Sequence, residues 1–490
     1  MNETSNFTES LETRHSKWTF LSNACGLLCS TLIGAIQGFT FYYYNAVVGL
    51  SAIWIAIAMT IFLVYNAAND PIFGFLIDRN LRFTRKYGRR FPWIVIGIFP
   101  WIFSVFLHFS APNLPRDITG ELLEPFILPA FGYLLLTLIL LDTFGTIVNI
   151  NYKAVQIEKF RTEFERQRFT KYYAPLDIIA IVLGMLLPPL FTDMVPGDAF
   201  ASYSIMGAII AVIALIFGIL SLQGNREDKI MIDRYFSPES VKRDNFFIVF
   251  KEALKTRSFV VWFIFGIFNG VYISLIVSNM LYITTIVLDV GGGMFTIIMA
   301  LNLIGTLISI PIWLRYIRKI NNNKKALVVA GLLACAATFP LTFFPGLIEL
   351  MIMGFILGLA QGGLNSYIYT IIGPSVTEDV IVKMGRNQKG VLFGISALLL
   401  RLVASIDEFI FAIVHESTGF LAGNDNYADM LSAVNLVGGD INLVLMGIRL
   451  IQGVIPALFL LVGVLIVWKF FPITQERLLS NKAKMKELGF

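Results

Sequence analysis

The sequence predicts an all-α polytopic membrane protein with twelve transmembrane helices in two pseudo-symmetric halves of six. Three observations carry this reading. The 490 residues are 56% hydrophobic and 14% charged, with a mean hydropathy of +0.73, which leaves too little polar surface to cover a soluble domain of that size. The apolar residues gather into runs of about 20 or more, the length that crosses a hydrocarbon core. The longest polar stretch, 223–257, falls at mid-chain between the sixth and seventh runs.

The spans run 19–44, 51–77, 92–111, 125–150, 173–192, 200–222, 258–287, 293–314, 325–344, 346–373, 389–414 and 440–471. Those longer than about 25 residues imply tilt or extension beyond the bilayer. The chain thus divides into an N-terminal tail (1–18), a first half (19–222), a central loop (223–257), a second half (258–471) and a C-terminal tail (472–490). Lys and Arg collect in the connections 78–91, 151–172 and 223–257, whereas the opposite set holds Arg116 alone. Both tails and the central loop are therefore expected in the cytosol. A faint repeat links the halves: Pro71-Ile72 stands seven residues before Asp78-Arg79, and Pro311-Ile312 seven before Arg318-Lys319. Two parallel six-helix halves are one known transporter plan.

The net charge of +5 is spread over cytosolic loops and implies no nucleic-acid partner. Cys25, Cys29 and Cys335 all lie in apolar runs and read as packing residues, with no metal or disulfide spacing. The first 17 residues lack a basic region followed by an apolar one, against a cleaved signal peptide. His15, His108 and His415 are scattered, and no nucleophile–base pattern accompanies them, so the chain is not read as an enzyme.

Ionisable groups inside the spans carry the chemistry, because a charge at the bilayer centre costs at least about 2.5–3.5 kcal/mol. In span two, Asn66, Asn69 and Asp70 share one helical face and offer a carboxylate with two amide oxygens, ligation suited to a hard cation. Span four carries Asp142, Thr146, Asn149 and Lys153 as one stripe. Span one offers Asn23, Ser30 and Gln37, span seven Asn269, Tyr272 and Asn279, and span ten Gln361, Asn365 and Tyr369. Each single Asn or Gln reads equally well as a solute contact or a helix–helix hydrogen bond.

From Asp70 onward the chain reads DPIFGFLIDRNLRFTRKYGRRFPWIVIG. This resembles the loop between helices two and three of the major facilitator superfamily, G-x-x-x-D-R-…-G-R-R, with Gly74, Asp78, Arg79, Gly88, Arg89 and Arg90 in place. The preceding N-D-P, the segment AVQIEKFRTEFERQR with Glu158, and the ending FPITQERLLSNKAKMKEL resemble the glycoside–pentoside–hexuronide:cation symporters, the family of the melibiose permease. The resemblance implies the major facilitator fold, with helices one, four, seven and ten lining a central cavity. It implies a cytosolic gate at Gly74, Asp78, Arg79, Arg89, Arg90 and Glu158, where the loop by itself reads also as a solvated positive-inside segment. It implies a cation site at Asn66, Asn69, Asp70 and Thr146, although the family's D-A-x-N-D-P has become N-A-A-N-D-P, with Asn66 at the first acid.

The family's sugar-gripping positions fall on Ser30, Asn149 and Lys153, its helix-five arginine on Asp177 and its helix-eleven lysine on Arg401. With Gln37, Asp142, Asn269 and Asn365 these form the expected solute site, and Asp177 and Arg401 are candidates for a pair. The expectation is a monomeric plasma-membrane secondary transporter in contact with lipid. It would move a small polar, glycoside-like solute by alternating access, with no cofactor beyond Na+ or H+ as coupling ion. The alternatives are a carrier of lysolipids or other amphiphiles, suggested by a C-terminal tail that resembles animal lysophospholipid carriers, and a transport-inactive sensor or scaffold.

Overall fold

The computed structural model describes residues 15–487 except 78–83, 161, 193, 236–245, 321, 368–372 and 386–388. Every predicted span is helical over its described residues. With no water in the hydrocarbon to satisfy backbone N–H and C=O groups, a spanning segment must bond them internally. The spans form α1 Lys17–Ile36, α2 Ala52–Ile77, α3 Phe91–His108, α4 Glu124–Lys159, α5 Glu163–Leu186 and α6 Ala199–Asn225. They continue as α7 Arg257–Tyr282, α8 Gly293–Ile320, α9 Asn323–Thr338, α10 Leu347–Tyr367 and α11 Lys389–Thr418. The twelfth span is broken at Gly453 into α12 Ile441–Gln452 and α13 Val454–Phe470, and a polar helix α14, Gln475–Glu487, follows.

Two boundaries differ most from the expected ones. α4 runs nine residues past 150, and α5 begins at Glu163, ten before 173. Hydropathy marks only the part in hydrocarbon. These polar ends stay helical because Thr162 caps α5, accepting from Glu165 N at 3.2 Å. At about 1.5 Å per residue α4 is roughly 54 Å long, well beyond a core of about 30 Å.

The chain forms two compact units. The first comprises Met1–Val48, Thr60–Pro115 and Leu122–Val241; the second comprises Gly49–Met59, Arg116–Glu121 and Lys242–Phe490. In the first unit α1 packs on α5 and α6, and α3 on α4 and α6. In the second, α7 packs on α11 and α13, and α9 on α10 and α13. The pairing repeats in order, which gives the faint sequence repeat a structural counterpart. A second repeat was not legible in the sequence. α1 runs through short turns into a π-helical turn, Tyr43–Val47, and α7 into another, Ile283–Val287. A buried histidine lies near each. His108 bonds Thr40 Oγ1 and Thr137 Oγ1, both at 2.9 Å, and His415 stacks on Phe420 at 4.1 Å and meets Tyr282 edge-on.

Close helix approach depends on small residues, since lipid gives no hydrophobic drive for helices to associate. α8 and α10 are the tightest case. A Cβ on Gly358 would stand 2.0 Å from the Asn302 carbonyl oxygen, and one on Gly305 2.4 Å from that of Phe355. In the second unit, outside the spans, Asp379 of the short helix Gly373–Met384 gathers three elements. Arg477 of α14 donates Nε to Oδ1 at 2.8 Å and Nη2 to Oδ2 at 3.0 Å, Asn481 Nδ2 donates at 2.9 Å, and Ser258 Oγ of α7 also donates. Burial by itself would push this carboxyl up, but the Ser258, Asn481 and Arg477 hydrogen bonds and the guanidinium charge hold it below its ordinary value.

Two outcomes follow. Gly358→Ala should destabilise the purified protein by about 1–3 kcal/mol through forced helix separation, whereas Gly34→Ala, where a Cβ meets nothing within 4 Å, should not. Detergent melting curves compare them. A carboxyl depressed on folding stabilises above its unfolded pKa of about 3.9, and that stability is lost as pH falls through the lower folded value. Asp379→Asn should therefore cost about 1–2 kcal/mol at neutral pH, discounted for the half-exposed Arg477, with the difference closing in acid. A variant that melts like wild type at every pH would remove Asp379 as a clamp.

Candidate functional site

α2 and α4 build a polar cluster inside the first unit. Asn66 and Asn69 lie one turn apart on one face of α2 and are buried; Asp142 and Thr146 lie one turn apart on α4. The Asp142 carboxylate is held from both sides: Asn66 Nδ2 donates to Oδ1 at 2.8 Å, and Asn69 Nδ2 to Oδ2 at 2.8 Å. Asn69 Nδ2 also reaches Thr146 Oγ1 at 3.3 Å, and Tyr65 OH donates to Asn69 Oδ1 at 3.4 Å. Hydrogen bonds to an ionised acceptor are roughly twice as strong as neutral ones, so these fix the rotamers of both amides. The outcome is a concentrated set of carboxylate, amide and hydroxyl oxygens, the donor type that hard cations take. Asp142, read from the sequence as a solute residue, thus stands with the residues of the expected cation site. The acid that N-A-A-N-D-P lacks at position 66 is met there by one from α4. The Asp70 side chain lies outside the described residues.

A second set of polar side chains joins α1 to α4 and α5. Ser30 Oγ donates to Asn149 Oδ1. Thr31 Oγ1 donates to Asp177 Oδ1 at 2.7 Å, and Tyr173 stands one turn before Asp177 on α5. Asp177 therefore has a hydroxyl partner in its own unit; the Arg401 side chain, proposed as its partner, lies outside the described residues. Lys153 is exposed on α4, and Gln37 is exposed in the 3-10 turn that follows α1. In the second unit, Tyr272 OH accepts from Thr338 Oγ1 at 3.3 Å and Gln361 Nε2 at 3.4 Å. Asn269 is buried, with no hydrogen-bond partner for Oδ1 among the described residues, and Asn365 is half-buried on α10. Two of the amides on the expected stripes are helix–helix bonds instead. Asn23 Nδ2 donates to Asn225 Oδ1 at 2.7 Å, and Asn279 Nδ2 to Ile448 O at 2.8 Å and Gln452 Oε1 at 3.0 Å.

At the basic-loop end of the first unit, Glu158 Oε1 lies 3.8 Å from Arg89 Nη2 and 3.7 Å from Arg90 Nη2. Asp78 and Arg79 are outside the described residues, as is what surrounds Gly74. Sequence reasoning missed Glu227, whose Oε2 accepts from Arg90 N at 2.7 Å and Phe91 N at 3.0 Å. It caps α3, where unpaired N–H groups and the helix dipole favour an anion. His15 Nδ1 pairs with Glu165 Oε1 at 2.7 Å, and Lys159 Nζ donates to the carbonyls of Gly224 at 2.7 Å and Arg226 at 3.0 Å. Nothing in local spacing announces these partners, which are far apart in the chain.

Comparison with known proteins agrees with this architecture. Over 461 residues the chain is 25% identical to the uncharacterised symporter YnaJ of Bacillus subtilis, covering 92% of this chain and 90% of that one. It is 20% identical to the sodium-dependent lysophosphatidylcholine symporter 1 of Gallus gallus, covering 95% and 90%. Among solved structures it resembles a D-xylose–proton symporter (TM-score 0.55, 14% identity, covering 93% of this chain and 98% of that one). It also resembles a bacterial homologue of the lysosomal transporter Spinster (TM-score 0.59, 13%, covering 96% and 99%). At these identities the solved structures establish the major facilitator fold, and the relatives are transporters, not enzymes. Residues 22–475 match the family model described as MFS/sugar transport protein, and the chain, an integral membrane transporter, belongs to that family.

Proposed function

We propose that this protein is a cation-coupled symporter of a polar or polar-headed solute, with sodium held at the α2–α4 cluster. The observation that carries the reading is the Asp142 carboxylate between the Asn66 and Asn69 amides, 2.8 Å from each. A site with one fixed carboxylate and neutral oxygens neutralises a monovalent ion and can still release it. Thr146, and Asp70 on the same face of α2, complete the proposed set. The ion drives transport only by binding the outward- and inward-open states differently. The α2–α4 packing that brings these residues together is the element proposed to change between states, with the Glu158–Arg89–Arg90 cluster as its gate on a cytosolic side.

The solute would lie on polar side chains of the first unit, Ser30, Asn149 and Asp177. A glycoside-like solute suits this mixture of hydroxyl, amide and carboxylate groups, which exchange hydrogen bonds with sugar hydroxyls. A lysolipid is the second reading. It is favoured by the similarity along nearly the whole chain to a relative named for sodium-dependent lysophosphatidylcholine symport. Cytosolic tails are the orientation that the basic loops support, and the plasma membrane is the proposed location.

Sodium should raise the melting temperature of the purified protein. Stabilisation reaches about 2.7 kcal/mol where the ion stands roughly a hundredfold above its Kd. Asp142→Asn should abolish the shift while the fold persists, and Asn66→Asp should lower the sodium concentration needed for it. A sodium response that survives Asp142→Asn would remove the cluster as the ion site. A panel of glycosides and lysophosphatidylcholine, with and without sodium, separates the two solutes. A glycoside shift that grows with sodium supports the first reading, a lysolipid shift the second, and no response from either class overturns both.

A further inference from the structure

The second unit contains an acidic pair that the sodium cluster does not use. Asp407 and Glu408 are neighbours well inside α11, 3% and 9% exposed, and Val403, Phe411 and Ala412 around them are buried too. Neither Asp407 oxygen, nor Glu408 Oε2, makes a hydrogen bond among the described residues. Ser274 of α7 lies against Asp407 without meeting hydrogen-bond geometry.

Among the described residues, the surrounding elements supply no cation. On α7, Arg257 stands in the first turn, about 25 Å along the axis from Ser274; Tyr272 is bonded to Thr338 and Gln361, and Tyr282 packs on His415. On α12, Arg449 donates Nη1 to the Phe344 carbonyl at 2.7 Å. At the far end, the short helices Phe246–Leu254 and Gly373–Met384 hold Lys251, Glu252, Glu378, Asp379 and Lys383. Glu252 pairs with Lys255 at 2.6 Å, Asp379 with Arg477 at 2.8 Å, and Lys383 donates to the Lys255 carbonyl at 2.7 Å. On α11 itself, His415 is stacked on Phe420 two turns away, and Arg401, two turns before, has its side chain outside the described residues.

Two adjacent ionised carboxylates without a cation in a membrane interior would each carry the cost of a buried charge and repel one another. One proton ends the repulsion and one buried charge, a second ends the other, and water reaching the site restores the charged form. We propose that Asp407 and Glu408 form a proton-binding site in the second unit, separate from the α2–α4 cluster. The carboxyls take up a proton from water when sealed and return it to water when α11 is wetted. Any coupling of that proton to solute movement rests on the symporter reading; the binding itself does not.

Infrared spectra of the full-length protein in lipid, taken in heavy water at neutral and alkaline pH, test this without a solute. Wild type should show a protonated-carboxyl carbonyl band at neutral pH that Asp407→Asn or Glu408→Gln weakens or removes. Asp407→Glu should shift the band rather than delete it, which tells loss of the proton from loss of the fold. A neutral-pH spectrum without that band, or one identical in all variants, overturns the site. The first of these is what an ionised pair neutralised by Arg401 would give. A blank solute panel leaves this result standing, and its failure leaves the sodium cluster standing.

Discussion

The structure depends on one constraint: inside hydrocarbon, a polar or charged group must find its partner within the protein. Backbone groups meet it by forming helices, so every long apolar run is helical. Side chains meet it only through tertiary contacts. Asn66, Asn69 and Asp142 satisfy one another across α2 and α4, Thr31 bonds the Asp177 carboxylate, and Asn279 is spent on Gln452 and a carbonyl of α12. These contacts stabilise the packing and also define which groups remain available for ions and solutes.

The same constraint makes such contacts useful for transport. A charge-assisted bond between two helices holds only while the helices keep their spacing, so a change in packing would alter the affinity of an ion at the proposed site. The first unit concentrates this on α2 and α4. Outside the spans, interactions of a different kind prevail: in the first unit the Glu158–Arg89–Arg90 cluster and the Glu227 cap on α3, and in the second the Asp379–Arg477 clamp.

The glycines serve another requirement. Dispersion, not the hydrophobic effect, holds helices together in lipid, and it needs backbones close enough to touch. At the α8–α10 crossing only glycine leaves that space, with a Cβ on Gly358 falling 2.0 Å from a carbonyl oxygen. By contrast, the Gly453 break lets α13 start afresh after α12, where a Cβ would strike Thr342 Oγ1 at 2.2 Å.

By itself the sequence determined the class of protein, the place of each spanning helix, the shared face of Asn66 and Asn69, and the stripe of Asp142, Thr146, Asn149 and Lys153. All of these depend on hydropathy or on helical period, which are local properties. Only the tertiary structure decided that Asp142 joins the amides of α2, that Asp177 is bonded within its own unit, that Asn23 and Asn279 are packing bonds, and that Glu227 and Arg477 hold helix ends. Each of these pairs side chains from separate segments, and their register is set by helix packing that a single sequence does not encode in any short pattern. The acidic pair on α11 shows both levels at once: its position was plain in the chain, but its isolation from every described cation appears only when the neighbouring helices are in place.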